Sequence, residues 1–95
     1  MFYKDIVECI KMNQIKQSIS NRTLAKRLGV SETTITDIRG YRMKVSSNLF
    51  DKIIAELSII DISENEKERL LNTQDVAKKN RHRRYIREIN NKNNM

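Results

Sequence analysis

Apolar residues near the start of the chain recur at helical steps. Phe2, Ile6, Cys9, Ile10, Ile15 and Ile19 follow that spacing, while Lys4, Asp5, Glu8, Lys11 and Lys16 fall elsewhere. The pattern predicts one amphipathic helix over residues 2–19. Ser20 and Asn21 then offer capping side chains for a short helix over 22–28, and Gly29 stops it. Ser31 is the capping candidate for a third helix over 32–39, which Gly40 stops. Glycine suits both stops because it enters the left-handed region without a Cβ penalty. The chain holds only these two glycines and no proline, a composition poor in sheet turns.

After a loop containing Tyr41, Arg42, Met43 and Lys44, Ser46 or Ser47 caps a fourth helix reaching about Leu57. Leu49, Phe50, Ile53, Ile54 and Leu57 recur along it at three- and four-residue steps. Residues 58–62 fit either a short strand or a connector. Ser63 and Glu66 match a capping box, so a fifth helix is expected, acidic at its start and basic toward its end. The pattern therefore predicts an all-α, five-helix domain. Functionally it divides into residues 1–62 and a C-terminal helix with a basic tail over 63–95. Hydrophobic residues make up 38% of the chain and only 5% are aromatic, so its single modest core must be aliphatic.

The most ordered stretch runs from Asn21 to Gly40. Two steeply crossing helices there would pack through Leu24 and Leu28 on the first and Ile35 and Ile38 on the second. Ala25 sits at the closest approach, Gly29 supplies the turn and Val30 plugs the core beneath it. In this geometry a first helix crosses the DNA backbone while a second enters the major groove.

The run Thr-Leu-Ala-Lys-Arg-Leu-Gly-Val-Ser-Glu-Thr-Thr-Ile-Thr-Asp-Ile, residues 23–38, resembles the Cro/repressor (XRE-like) helix-turn-helix family of phage and bacterial transcriptional regulators. The resemblance covers roughly residues 5–57. It implies a lambda-repressor-like fold with the helix-turn-helix as helices two and three. It also implies a double-stranded DNA operator as partner, with Asn21 and Arg22 on a phosphate. The recognition helix would present Glu32, Thr33, Thr34, Thr36 and Asp37 to base edges. Threonine contacts thymine methyls or bases, and a carboxylate accepts from cytosine N4. The two acids depart from the long polar residues usual in the family, and Glu32 can equally serve as a helix N-terminal charge. Arg39 is the candidate for a guanine or a phosphate, and Arg42 and Lys44 in the following loop for phosphates.

Charge is unevenly distributed. The chain carries +7, yet residues 78–95 alone hold seven basic residues against Glu88, a net +6. Residues 20–44 carry a net +4 and residues 51–75 a net −4. Two separate positive regions point to a polyanion, either nucleic acid or an anionic membrane surface. In the tail, Lys78, Lys79, Arg81, Arg83, Arg84 and Arg87 are candidates for the DNA backbone, and a solvated end is the plainer reading. Tyr85, Ile86 and Ile89 interrupt the run at helical spacing. Ile59, Ile60, Ile62, Leu70 and Leu71 are the candidate homodimer interface, because one short recognition helix reads few base pairs and two half-sites restore specificity.

Several classes fall away. No run approaches the roughly 18 apolar residues of a membrane span, and the start lacks a signal-peptide pattern. Cys9, the single cysteine, reads as a small core residue and fits a reducing cytoplasm. His82 has no Cys or His companion for a metal. No glycine-rich phosphate loop and no nucleophile–base set appears, so neither an enzyme, a cofactor nor a small-molecule ligand is expected. The expected function is a sequence-specific regulator, a dimeric repressor of a phage, plasmid or other mobile element. Three alternatives stand beside it: a DNA-binding antitoxin whose C-terminal segment holds a protein partner, an accessory protein marking an origin or transfer site, and an interaction module whose tail meets a membrane or RNA.

Overall fold

The structure, a computed structural model, describes residues 2–74. Five helices occupy that span: α1 (Ile6–Gln17), α2 (Asn21–Leu28), α3 (Glu32–Arg39), α4 (Ser47–Glu56) and α5 (Glu64–Asn72). No strand occurs among the described residues, so the all-α expectation holds and residues 58–62 are a connector. The tail candidates Lys78, Lys79, Arg81, Arg83, Arg84 and Arg87 lie outside the described residues. Among those described, no helix is long and apolar enough to cross a membrane.

Every helix starts the same way. An extended residue accepts, through its side-chain oxygen, the backbone N–H three places on: Asp5 from Glu8, Ser20 from Thr23, Ser31 from Thr34, Ser46 from Leu49 and Ser63 from Glu66. Each cap satisfies an N–H left without an intrahelical partner and contributes about 1 kcal/mol. At α5 only half of the expected capping box forms. The Glu66 side chain turns away from Ser63 and accepts instead from the Tyr3 backbone N–H at 3.0 Å.

The stops depart from the glycine reading. Left-handed backbone occurs at Ser18, Gly29, Tyr41 and Ser58, whereas Gly40 sits at φ −90°. At each of the four, two hydrogen bonds close the helix end in the same pattern. Ser18 and Ile19 donate to Ile15 and Gln14, Gly29 and Val30 to Lys26 and Ala25, Tyr41 and Arg42 to Ile38 and Asp37, and Ser58 and Ile59 to Ala55 and Ile54. Helix α1 thus ends two residues before Ile19, which turns back to half-burial on the core. Gly40 matters for another reason: a Cβ there would fall on the guanidinium of Arg42.

One core, mostly aliphatic, joins the elements. Ile10, Leu24, Ile35, Ile38, Phe50, Ile53, Leu57 and Leu70 are all but excluded from solvent, and Cys9 is fully buried among them. Helix α2 packs on α3 and α4, and α1 on α3. Buried Ala25 leaves room for the close α2–α3 approach. The expected apolar face of α1 needs correcting at its ends. Phe2 and Ile15 are 75% and 68% exposed, and Tyr3 is buried in their place.

The expected dimer interface needs correcting too. Ile59 and Leu70 are 5% and 0% exposed within the protomer's own core, so neither is available to a second copy. Ile62 and Leu71 pack half-buried against that core, and only Ile60 stands out, at 93% exposed. The apolar residues beyond α4 read as surplus because the core they join is built largely from residues far earlier in the chain.

Candidate nucleic-acid interface

Helix α3 is fixed from beneath by Ile35 and Ile38, both 1% exposed. With a period near 3.6, burying these two positions turns the intervening residues outward. Glu32, Thr33 and Thr36 are exposed, while Thr34 and Asp37 are half-buried. The Thr34 hydroxyl lies 3.0 Å from the Ser31 hydroxyl, and Thr36 donates to the Glu32 carbonyl at 3.1 Å. Thr34 is thereby part of the α3 cap, and Glu32, Thr33 and Thr36 make up the open face.

Asn21, the first residue of α2, is drawn into a polar cluster that also holds Arg39. Its Oδ1 accepts from Arg39 Nη1 at 2.7 Å and from Gln14 Nε2 at 3.0 Å. Gln14 is 2% exposed, donates also to the Ile19 carbonyl at 3.1 Å, and accepts from Arg39 Nη1 at 3.3 Å. The end of α1, the start of α2 and the end of α3 are joined here. Arg39 is therefore half-buried and tied through its Nη1 to Asn21 and Gln14. Both donors to Asn21 arrive at its oxygen, which fixes the amide and leaves its NH2 group to face other acceptors.

Asp37 is likewise engaged. Its Oδ1 accepts from Arg42 Nε at 3.0 Å, and Arg42 Nη2 reaches the Thr36 carbonyl at 3.4 Å. Arg22 and Lys44 are exposed. Gln74 grips Val45 from both sides, its Oε1 accepting from Val45 N at 2.7 Å and its Nε2 donating to Val45 O at 2.9 Å. That pair ties the chain after α5 to the loop holding Arg42 and Lys44. The structure thus brings Asn21, Glu32, Thr33, Thr36, Asp37, Arg39 and Arg42 onto α2, α3 and their adjoining ends.

Sequence reasoning missed Gln14 and Tyr41. The Gln14 signal was a polar residue four places after Ile10 on the buried face of α1. Tyr41 read as loop, yet it takes the left-handed position at φ 60° and its hydroxyl donates to Asp5 Oδ2 at 2.7 Å. Titration is perturbed elsewhere. Burial pushes the Cys9 thiol up to about 12, with the nearby carboxylates of Asp61, Glu66 and Glu8 acting in the same direction. Such a thiol is a packing residue and a poor nucleophile.

Comparison of the chain with protein-family models, with curated proteins and with solved structures finds no match.

Proposed function

We propose that this chain is a sequence-specific double-stranded DNA-binding regulator in which α2 and α3 act as a helix-turn-helix. The supporting observation is the exposed face of α3, formed by Glu32, Thr33 and Thr36, beside exposed cations at Arg22, Arg42 and Lys44. In this reading α3 enters the major groove and the threonines meet base edges. Arg22 and Lys44 hold phosphates, which supply affinity without sequence information. The proposed unit is a homodimeric repressor, because one eight-residue helix reads few base pairs and two half-sites about 10 bp apart restore specificity.

The test is binding of purified protein to its own upstream DNA and to a scrambled duplex across a salt series. A preference for the native duplex that Thr33→Ala with Thr36→Ala abolishes supports sequence reading. Arg22→Ala and Lys44→Ala should weaken both duplexes alike and each lower the salt slope by about one. Equal affinity for both duplexes at every salt concentration rejects the regulator reading.

A further inference from the structure

Around α3 the supply of positive charge is small once its partners are counted. Arg42 is paired with Asp37, and Arg39 Nη1 rests on the side chains of Asn21 and Gln14. Arg22 and Lys44 are exposed and in no ion pair, while the exposed Glu32 carboxylate offsets one of them. Strong duplex binders neutralise on the order of six to ten phosphates, so this face alone is undersupplied. Most of the remaining positive charge belongs to residues 78–95, a net +6 that lies outside the described residues.

The structure fixes the point from which that basic stretch departs. Gln74 is clamped on the backbone of Val45, accepting from its N–H at 2.7 Å and donating to its carbonyl at 2.9 Å, and it donates to the Leu71 carbonyl at 3.1 Å. Val45 is 3% exposed, so the seat is rooted in the core, and its chain neighbour is the exposed Lys44. The chain thus leaves α5 at the loop that follows α3. Lys78 lies four positions beyond Gln74 and Arg87 thirteen. At no more than about 3.6 Å per residue, they stay within about 14 Å and 47 Å of Gln74.

The acids of the preceding stretch offer little competition for these cations. Lys67 holds Asp51 and Glu64, Arg69 holds Glu66, and Asp61 accepts from the Tyr3 hydroxyl. Among the described acids of residues 51–74, Glu56 and Glu68 alone are left without a partner, two charges against a net +6.

Resting on the DNA-binding reading, we propose that Gln74 is a positioning residue that starts the basic stretch at the edge of the α3 surface. From there Lys78, Lys79, Arg81, Arg83, Arg84 and Arg87 engage duplex phosphates flanking the base pairs that α3 reads. The clamp raises the effective concentration of those cations at the DNA backbone, and phosphate contacts of this kind add affinity without sequence information.

The experiment measures the Kd of full-length protein over a salt series, for a duplex that the wild type selects from a random-sequence pool. Exchanging the six cations for glutamine should lower the salt slope by about one unit for each phosphate given up, several units in all. Gln74→Ala should weaken binding about two- to fivefold while the basic stretch is intact, and by a smaller factor once it is neutralised. Ethylation interference locates the contacts. The phosphates needed by the wild type but not by the neutralised protein should adjoin those lost with Lys44→Ala.

A neutralised protein whose salt slope stays within about one unit of the wild type overturns the proposal and leaves the DNA-binding reading standing. Tighter binding after neutralisation also overturns it, and would mean that the stretch lies on the protein's own acids and competes with DNA. A Gln74→Ala loss of the same size in both backgrounds overturns the positioning role. A wild type that selects no duplex overturns the DNA-binding reading and this inference with it.

Discussion

Glu66 holds Tyr3 by the backbone: one carboxylate oxygen accepts the Tyr3 N–H at 3.0 Å, across 63 positions of sequence. The other accepts Arg69 Nε at 2.6 Å, and the same guanidinium donates to the Tyr3 carbonyl while lying 4.2 Å from the Phe2 ring centroid. Two side chains of α5 thus pair with the N–H and C=O of one residue, much as a neighbouring strand would.

This arrangement gives stability a defined pH dependence. The hydrogen bond from Arg69 chiefly, aided by the Tyr3 N–H, holds the Glu66 carboxyl below its ordinary value in the folded protein. A lowered folded pKa means that the contribution is complete above the ordinary carboxylate range and disappears as pH falls through the lowered value. The melting midpoint should therefore drop on acidification below about pH 4.3, the ordinary glutamate value. Thermal melts of Glu66→Gln should show a lower midpoint at pH 7 and a shallower acid dependence. An unchanged acid slope would place the titrating group elsewhere.

Leu70 and Ile60 should respond in opposite ways to truncation. Leu70 is wholly buried, so Leu70→Ala should cost about 2–5 kcal/mol in denaturant unfolding. Ile60 is 93% exposed, and Ile60→Ser should fall within about 0.5 kcal/mol of wild type. Sedimentation of the Ile60 variant separately tests the remaining dimer surface. A shift from dimer to monomer assigns Ile60 to that contact, and no shift removes it.

The left-handed stops predict stabilising substitutions. A residue with a Cβ is disfavoured there by about 1–2 kcal/mol relative to glycine, part of which glycine's greater unfolded-state freedom offsets. Ser18→Gly and Ser58→Gly should each raise stability by up to about 1 kcal/mol, whereas Gly29→Ala at φ 73° should lower it by about 1–2 kcal/mol. Urea titrations of the three variants decide this. Tyr41→Gly is expected to lose, because the tyrosine hydroxyl also holds Asp5.

Cys9 should report global unfolding. The thiol is fully buried and shifted up to about 12 by desolvation, so at pH 8 an aromatic disulfide reagent should leave it unreacted in the folded protein. Urea at the unfolding midpoint should release the reaction. Rapid labelling in the absence of denaturant would contradict the packing described.

Helix starts were legible because they are local: a serine or aspartate followed by a periodic apolar run carries its own chemistry, as at Ser31 and Ser63. Stops were half legible. Gly29 announced itself, but Ser18, Tyr41 and Ser58 take the left-handed conformation without a distinctive residue, and Gly40 lent itself to the wrong explanation. Long-range ties were not legible at all. Nothing near Ile59 or Leu70 says that they belong to the same core as residues of α1 to α4, so they were read as a dimer interface. At the candidate site, the residue types on α3 could be read from spacing. Arg39 and Asp37 could not be assigned, because their neighbours Gln14, Asn21 and Arg42 decide where each side chain points.

Four helix ends close through bonds that span at most five residues, while the Tyr3 strap is held chiefly by two side chains far along the chain. Native-state hydrogen exchange should separate these two kinds of order. Amides such as Leu24 N–H, donated to Ser20 O inside a helix packed on the core, exchange only when the whole fold opens. The Tyr3 amide is buried and its residue is also tied through its hydroxyl to Asp61 and Asn13, so its exchange should require the strap to lift away as a unit, a sub-global opening that leaves α2 and α3 docked.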